Sequence, residues 1–203
     1  MYKLIKRLFD FFSAFCLFVV ISPLFLIIMI ASIFFNGFPV FFIQKRSGKN
    51  MKPIKVLKFR TMTNKRDENG FLLPDEKRLT KFGKFLRSTS LDELPQLLNI
   101  IIGNMSVIGP RPLPEEYNDY YSNEEKDRFK VKMGLIQPEV LYNKVFPSWD
   151  EQLMWEANYA NHLNFKTDIK IFFAVFKVLF HRSKDDYGSF VRKSLIEERG
   201  DKK

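Results

Sequence analysis

The sequence predicts an α+β protein that is mostly helical and begins with a membrane segment. Residues 11–35 form an uncharged, apolar run of 25 residues, which is long enough for a membrane helix. Two short alternating segments, joined by turn residues, predict a small β-hairpin. Helical periodicity and helix-capping pairs recur in later segments. Together these features predict a membrane helix, a hairpin and amphipathic helices that lie at the bilayer interface.

The composition favours an anionic partner. The chain has 203 residues and a formal net charge of +10, which suits phospholipid, nucleic acid or a phosphorylated substrate. The chain has 23 phenylalanines, and many of them cluster at two apolar segments. Aromatic residues beside basic ones fit a bilayer interface better than a nucleic-acid groove. We therefore expect membrane lipid and no nucleic acid. The one cysteine, Cys16, lies in the apolar run, so an intrachain disulfide framework is excluded and a cytoplasmic face is favoured.

The apolar run contains Ser22-Pro23 near its midpoint. Proline interrupts the helical hydrogen bonds and kinks a helix. Each half, about 12 residues or roughly 18 Å, is too short for a hydrocarbon core of about 30 Å. Lysine and arginine flank both ends of the run, and such residues favour the cytoplasmic side. We predict a re-entrant helix that bends at Ser22-Pro23, with the serine hydroxyl bonded to a nearby carbonyl. A kinked single-pass helix is the alternative.

The predicted domains are a re-entrant membrane helix over 1–37, a cytoplasmic catalytic domain with interfacial helices over 38–182, and a charged, loosely ordered tail over 183–203. Strands are predicted over 39–46 and 54–62, followed by a polar loop over 64–77. Lys58 and Arg60 alternate with apolar residues and share one strand face, which suits a bound phosphate or a solvated edge.

Amphipathic periodicity predicts helices over 79–87, with Thr80 as its cap, and over 165–182. Each fits a bilayer surface, and a core-packed surface helix is the alternative for the first. Two Ser-x-x-Glu capping boxes predict helices over about 122–132 and 149–162, with a loop between them.

Two adjacent acids, Asp92 and Glu93, precede another apolar run. Pro95 is tolerated only in the first turn of a helix, so a helix would begin near Asp92 and hold both acids at its positive end. In isolation such a pair is most simply a helix cap, because aspartate is a preferred N-cap residue. The nearby cations and the upstream membrane segment favour a functional site instead. Arg111 lies in a rigid G-P-R-P turn, where its guanidinium suits a phosphate. The chain contains two histidines and no P-loop, GxGxxG or GxSxG motif, so carboxylates are the catalytic candidates.

A series of short motifs runs almost continuously over the first 112 residues. They are Lys6-Arg7 with Asp10, Ser22-Pro23, P-V-F-F-x-Q-x-R-x-G (39–48), K-F-R-T-M (58–62), L-T-x-x-G-x-x-L-R (79–87), S-L-D-E-L-P-Q (90–96) and G-x-M-S-x-I-G-P-R-P (103–112). Together they resemble the small monotopic phosphoglycosyl transferases, the bacterial sugar transferases that start glycan assembly on a polyprenyl carrier. S-L-D-E-L-P-Q with G-P-R-P is the most specific part of this resemblance. Tyr159 and Asp168 follow the family's weaker C-terminal trend.

The resemblance implies transfer of a phosphosugar from a UDP-sugar to polyprenyl (undecaprenyl) phosphate, with release of UMP. Asp92 would be the nucleophile and a Mg²⁺ ligand, and Glu93 would assist the incoming phosphate or position the metal. The substrate-binding cations would be Lys58, Arg60, Arg87, Arg111, Lys6 and Arg7. The resemblance also implies a place on the bacterial inner membrane, with the catalytic domain and both termini on the cytoplasmic side, and leaves a homodimer open.

The segment 132–144 departs from the family's loop pattern and clearly keeps only Gly134. That loop is expected near the nucleotide sugar, so the sequence does not predict which sugar is transferred. Two other functions compete with the transferase. A membrane-anchored, non-catalytic adaptor in glycan assembly would not need Asp92, and a nucleic-acid-binding protein would show steeply salt-dependent DNA affinity.

Overall fold

The computed structural model describes residues 2–142, 144, 147–181 and 192–200. Within these residues the chain is mostly helical. The helices are α1 (Tyr2–Asn36), α2 (Asp75–Arg78), α3 (Lys81–Ser88), α4 (Gln96–Ile102), α5 (Trp149–Asn161), α6 (Phe165–His181) and α7 (Leu195–Arg199). The strands are β1 (Phe41–Ser47), β2 (Pro53–Phe59), β3 (Ser106–Ile108) and β4 (Gly134–Ile136).

The chain divides into two compact units. Unit 1 comprises Met1–Asp10, Lys45–Ile54 and Gly103–Lys203, and unit 2 comprises Phe11–Gln44 and Lys55–Ile102. The predicted division at residues 37 and 182 concerns the placement of the chain at a membrane and stays a prediction.

Helix α1 is continuous over 35 residues and contains Pro23. It is the one helix in the described part of the chain that is long and apolar enough to cross a membrane, and 17% of its most apolar window is buried. The Ser22 hydroxyl donates to the Val19 carbonyl over 2.8 Å, as predicted. A break at Ser22-Pro23 is not shown, so the re-entrant path remains a prediction.

Strands β1 and β2 form the predicted hairpin. Its five-residue connection requires an antiparallel pair, since a parallel crossover needs a dozen residues or more. The predicted bounds extended too far at the start of β1 and at the end of β2. Arg60 therefore lies just past β2, where its amide donates to the Val40 carbonyl over 2.8 Å.

A second sheet was not predicted. β3 pairs in parallel with β4, with Ser106 opposite Gly134. Both strands have three residues, too few for an alternating pattern to be recognised. An added Cβ at Gly134 would lie 2.1 Å from the Gly109 amide nitrogen. The close approach of these two glycines explains why Gly134 is kept within a segment that otherwise departs from the family pattern.

The predicted helices have mixed outcomes. Helices α3, α5 and α6 are confirmed as helices, and both helix-end hydrogen bonds of the Ser148–Glu151 capping box are present. The place of α3 and α6 at a bilayer surface stays a prediction. The predicted helix over 122–132 is instead a short 3₁₀ segment, Glu125–Lys130. The Ser122–Glu125 pair still forms, because Ser122 N donates to Glu125 Oε2 over 2.8 Å, but here the capping bonds start a tighter turn.

The tail was predicted to be loosely ordered, and this is wrong for its described part. Leu195 in α7 is fully buried within a cluster that includes Tyr117 and Leu153. Arg199 binds Glu125 through two hydrogen bonds of 2.7 Å. Residues 183–191 and 201–203 lie outside the described residues. The sequence prediction missed the role of Leu195, because the segment around it is mostly charged.

Candidate active site

The two acids lie in a 3₁₀ turn, Leu91–Glu93, in unit 2. The predicted helix begins later than expected, at Gln96, so Asp92 and Glu93 precede it instead of capping it. Ser90, just before the turn, is left-handed with φ 58°. Such a conformation is costly for a residue other than glycine and is often found at functional sites. Leu91 and Leu94, on either side of the acids, pack against the cluster that contains Phe59.

Helix α4 is fixed to β2 by a buried asparagine. Asn99 accepts a hydrogen bond from Leu57 N over 2.9 Å and donates to the Lys55 carbonyl over 2.7 Å. Its amide thus pairs with the strand backbone as a neighbouring strand would. These two hydrogen bonds hold α4 against β2. The turn that carries Asp92 and Glu93 precedes α4, and Lys58 lies on β2. Sequence reasoning missed Asn99, although a polar residue inside the apolar run L-L-N-I-I-I was the available signal.

Lys58 contacts the second acid. Its Nζ lies 2.6 Å from Glu93 Oε1, and the two side chains are 24% and 26% exposed. This ion pair holds the Glu93 carboxylate beside Lys58, next in sequence to Asp92. The structure therefore brings together three predicted site residues, Lys58, Asp92 and Glu93.

Asp92 is 9% exposed. Burial raises the pKa of its carboxyl, and the negative charge of Glu93 raises the pKa further. The positive charges of Lys58 and Arg87, together with a hydrogen bond from the backbone of Asp92, act in the opposite direction. The net shift is upward, so folding places this carboxylate where its charge is under-compensated. A cation or a phosphorus centre that accepts electron density would relieve that cost.

Helix α3 positions Arg87, and the structure explains its motif. Thr80 caps the helix by accepting from Gly83 N over 2.8 Å, as predicted. An added Cβ at Gly83 would lie 1.9 Å from the Thr61 carbonyl oxygen, so only glycine allows this approach. Leu86 is fully buried, and Arg87 Nε donates to Thr61 Oγ1 over 3.0 Å.

Arg60 has a different environment from Lys58. It is buried, and its guanidinium donates to the Phe38 carbonyl over 2.8 Å and to the Asn36 carbonyl. Asn36 in turn donates to the Arg60 carbonyl over 2.6 Å. These contacts close the C-terminal end of α1. Lys58 and Arg60 were expected to share one phosphate-binding face. In the structure they have different partners, because Arg60 contacts backbone carbonyls whereas Lys58 contacts Glu93. A substrate role for Arg60 remains a prediction.

Lys6, Arg7 and Arg111 belong to unit 1, whereas the acid pair belongs to unit 2. Lys6 Nζ lies 2.8 Å from Asp168 Oδ2 and 4.0 Å from Oδ1 of Asp10, four residues further along α1. Asp168 also accepts from the Tyr159 hydroxyl over 2.7 Å. Burial first, and then the charge and the hydrogen bond of Asp168, raise the pKa of that hydroxyl.

Asp10 is buried and secures β3. Its carboxylate accepts from Ser106 Oγ over 2.8 Å and from Val107 N over 3.0 Å. This explains why Asp10 and the serine of G-x-M-S-x-I occur together. Arg7 lies against Gly103, since an added Cβ there would approach its Nη2 to 3.0 Å.

The exposed Arg111 is held by a buried ion pair that sequence reasoning missed. Arg128 Nε donates to Glu156 Oε2 over 2.6 Å and Arg128 Nη2 to the Arg111 carbonyl over 2.5 Å. Glu156 Oε1 accepts from Arg111 N over 2.8 Å. Glu139, in the divergent segment, has a pKa well above its usual value because of burial and the nearby Glu156 charge. No sequence signal linked these positions, which are far apart in the chain.

The donor set in unit 2 fits the predicted Mg²⁺. The described residues contain no group of three or more Asp, Glu, His and Cys side chains suited to a metal. A magnesium ion that binds with a diphosphate, however, needs only one or two protein carboxylates. Asp92 and Glu93 supply two oxygen donors, and the raised pKa of Asp92 is the feature that a divalent cation would reverse.

The first comparison with known proteins decides the family. A family model described as bacterial sugar transferase matches residues 1–182. The chain belongs to the bacterial sugar transferase family. The predicted resemblance is therefore confirmed, and with it the class of enzyme, a phosphoglycosyl transferase.

Three curated relatives are similar to this sugar transferase over most of its length. It is 41% identical over 168 residues to the uncharacterized sugar transferase EpsL of Bacillus subtilis, a match that covers 83% of each chain. It is 35% identical over 185 residues to the exopolysaccharide production protein ExoY of Rhizobium meliloti, covering 83% of this chain and 82% of that one. It is 36% identical over 189 residues to the UDP-glucose:undecaprenyl-phosphate glucose-1-phosphate transferase of Klebsiella pneumoniae, covering 88% of this chain but 41% of that protein.

Proposed function

We propose that this protein transfers a phosphosugar from a UDP-sugar to polyprenyl phosphate, through a covalent intermediate on Asp92. The observation that carries the proposal is the buried Asp92 carboxylate, whose pKa is raised in a turn beside the Lys58–Glu93 pair. The Klebsiella relative, named for a transfer from UDP-glucose to undecaprenyl phosphate, supports this choice of substrates. The sugar is not assigned.

In the first step, an Asp92 oxygen forms a bond to the β-phosphorus of the UDP-sugar. The bond between that phosphorus and the bridging oxygen breaks, and UMP leaves with the bridging oxygen. In the second step, an oxygen of polyprenyl phosphate attacks the same phosphorus. The bond to Asp92 then breaks, which restores the carboxylate and gives a polyprenyl diphosphosugar. A carboxylate nucleophile on phosphorus has precedent in aspartyl-phosphate chemistry.

Each neighbouring residue supports a charge change in this reaction. Desolvation makes the Asp92 carboxylate more reactive than one in water, while the charges of Lys58 and Arg87 act to lower its pKa and so favour the ionised form. Arg87 is oriented by its bond to Thr61 and is placed to stabilise phosphate charge. Glu93 assists the incoming phosphate. Asp92, with Glu93 beside it, would hold Mg²⁺, which supplies positive charge to the diphosphate when it is bound.

The protein is placed by this proposal on the cytoplasmic face of the bacterial inner membrane. The long apolar helix α1 supports membrane attachment, and polyprenyl phosphate is a membrane substrate. In the finer form of the proposal, α1 enters and returns through Ser22-Pro23, so that both termini are cytoplasmic.

The test is UMP release by the full chain, purified in detergent, with Mg²⁺, polyprenyl phosphate and a panel of UDP-sugars. At least one sugar should give UMP. Asp92→Asn should lower that rate at least about 1,000-fold, because it removes the nucleophile, and Glu93→Gln should lower it about 100-fold. Asp119→Asn, at an exposed carboxylate, is the control and should keep full activity.

The adaptor alternative makes the opposite prediction. An Asp92→Asn chain that still restores glycan assembly in cells would support the adaptor and would exclude the covalent mechanism. A radiolabelled sugar phosphate that remains on the wild-type chain after denaturation, and not on Asp92→Asn, would support the transferase.

A further inference from the structure

A cationic cleft in unit 1 is not used by the chemistry at Asp92. It has a volume of about 90 Å³, and its walls come from the start of α1, from the hairpin connection and from residues 130–132. Six cations line it with one acid, Asp10; the cations are Lys3, Lys6, Arg7, Lys49, Lys130 and Lys132. All of these residues belong to the same compact unit.

Two of the cations are paired with acids outside the cleft. Lys6 pairs with Asp168 and Lys130 pairs with Asp127 over 2.7 Å. The Asp10 carboxylate accepts hydrogen bonds from Ser106 and Val107 and is the acid that lines the cleft. Among the described residues, Lys3, Lys49 and Lys132 have no ion pair within 4.0 Å. The cleft therefore keeps an excess of positive charge that a bound anion would balance.

Lys132 shows the cost of this excess. The pKa of its amine is lowered, first by burial and then by the positive charges of Arg7 and Lys49, and Asp10 offsets this only in part. Three cations from three separate segments thus converge at close range. Proteins generally tolerate such convergence where an anionic ligand compensates it.

An apolar cleft of about 60 Å³ adjoins the cationic one, and Lys6 and Asp10 line both. Its other walls are mostly apolar side chains of α1, β3 and α6: Ile5, Phe9, Val107, Ile108, Phe165, Ile169 and Phe172. Ile5, Phe9 and Phe165 are each at least half exposed. An apolar cleft beside a cationic one, next to a membrane helix, has the chemistry of a lipid with an anionic headgroup.

We propose that this pair of clefts binds an anionic glycerophospholipid of the bilayer, with its phosphate in the cationic cleft and an acyl chain in the apolar cleft. Phosphatidylglycerol has the required chemistry: one phosphodiester charge and two acyl chains. The proposal relies on the membrane placement given under the proposed function but not on the chemistry at Asp92. The bound lipid would fix the start of α1 and the neighbouring end of α6 at the headgroup level.

The experiment measures lipid retention by native mass spectrometry. The full chain is purified in neutral detergent and incubated with equal amounts of phosphatidylglycerol and phosphatidylcholine. Wild type should retain one phosphatidylglycerol in preference to phosphatidylcholine. Each juxtamembrane lysine contributes about fivefold to anionic-lipid affinity, so Lys49→Gln with Lys132→Gln should weaken retention roughly 25-fold. Lys65→Gln with Lys126→Gln, at two exposed lysines outside the cleft, removes the same charge and should retain the lipid.

Because Lys132 is partly buried, its substitution could weaken lipid retention by disturbing the fold. A second variant at exposed residues tests this. Lys3→Gln with Lys49→Gln changes two exposed residues and should weaken retention to a similar extent. Ile5→Ser with Phe165→Ser changes the apolar cleft. The fraction of protein that retains phosphatidylglycerol should therefore fall more for a long-chain lipid than for a short-chain one. Equal retention by the cleft and control variants would overturn the proposal.

A competition arm identifies the source of the phosphate. Excess polyprenyl phosphate should leave phosphatidylglycerol in place, and inorganic phosphate should not displace it. Displacement by polyprenyl phosphate would instead make the cleft part of the acceptor site and would overturn the assignment to bulk phospholipid. UMP release is measured on the same samples, so that loss of lipid binding with intact UMP release is separated from failure of the transferase reaction.

Discussion

At the scale of single residues, Asp92 combines low solvent exposure with an acidic neighbour and two nearby cations. Its raised pKa means that folding disfavours the charged form. Such a cost is typical of catalytic groups, whose reactivity depends on an environment that does not maximise stability.

Asp92→Asn should therefore stabilise the protein while it removes activity. Because the folded pKa lies above the unfolded value, the wild-type chain loses stability as pH rises between these two values, and the loss persists above them. The gain from Asp92→Asn should be near zero at low pH and reach about 1 kcal/mol at neutral pH. Urea unfolding of both chains in the same detergent, at several pH values, checks this. A variant that is less stable than wild type at neutral pH would contradict it.

Lys58 lowers the pKa of Asp92, so its removal should change the pH profile. In Lys58→Met, the acid limb of kcat/KM for UMP release should move to higher pH, because the nucleophile loses a stabilising charge. Lys55→Met is the matched control, since Lys55 is an exposed lysine on the same strand. If Lys58→Met lowers the rate equally at every pH, the lysine binds substrate without tuning Asp92.

At the scale of elements, short motifs specify contacts between backbones. The glycine of L-T-x-x-G-x-x-L-R lets α3 meet the Thr61 carbonyl, and the arginine four residues later reaches the hydroxyl of the same threonine. The sequence predicted this helix and its cap because both depend on neighbours in the chain. It could not show which segment the glycine approaches.

Gly83→Ala should destabilise unit 2 by about 2–3 kcal/mol, because the added methyl group would overlap the Thr61 carbonyl and force α3 away. Arg87 would then move from Thr61, so UMP release should fall as well. Gly200→Ala is the matched control: an added Cβ there has its nearest neighbour at 4.0 Å. Thermal unfolding of the two variants should differ clearly, and equal melting temperatures would contradict the close approach.

At the scale of the whole molecule, the sequence predicted the helical class, the hairpin and the long apolar helix at the start of the chain. The membrane path and the roles of the acid pair stay predictions. It missed the β3–β4 sheet, because three-residue strands carry no periodicity. It also missed Asn99 and the Arg128–Glu156 pair, because their partners are set by packing between distant segments. Arg60 was assigned to substrate by its motif, and only the structure shows its contacts with the end of α1.

Membrane topology is the property of the whole chain that can be tested directly. In a Cys16→Ser background, single cysteines at Lys3 and Lys45 should both resist an impermeant thiol reagent applied to intact cells, because the re-entrant path keeps both on the cytoplasmic side. Both should react after permeabilisation, which is the control. Labelling of just one site in intact cells would indicate a single-pass helix.

The C-terminal helix α7 has a practical consequence. The family match ends at residue 182, yet Leu195 beyond it is fully buried and Trp149 Nε1 donates to the Lys193 carbonyl over 3.0 Å. A variant trimmed to the family boundary would uncover the aromatic side chains of Tyr117 and Trp149. Affinity tags are thus better placed after Gly200 than substituted for the final segment. A homologue that lacks this segment would need another apolar side chain to cover the surface that Leu195 buries here.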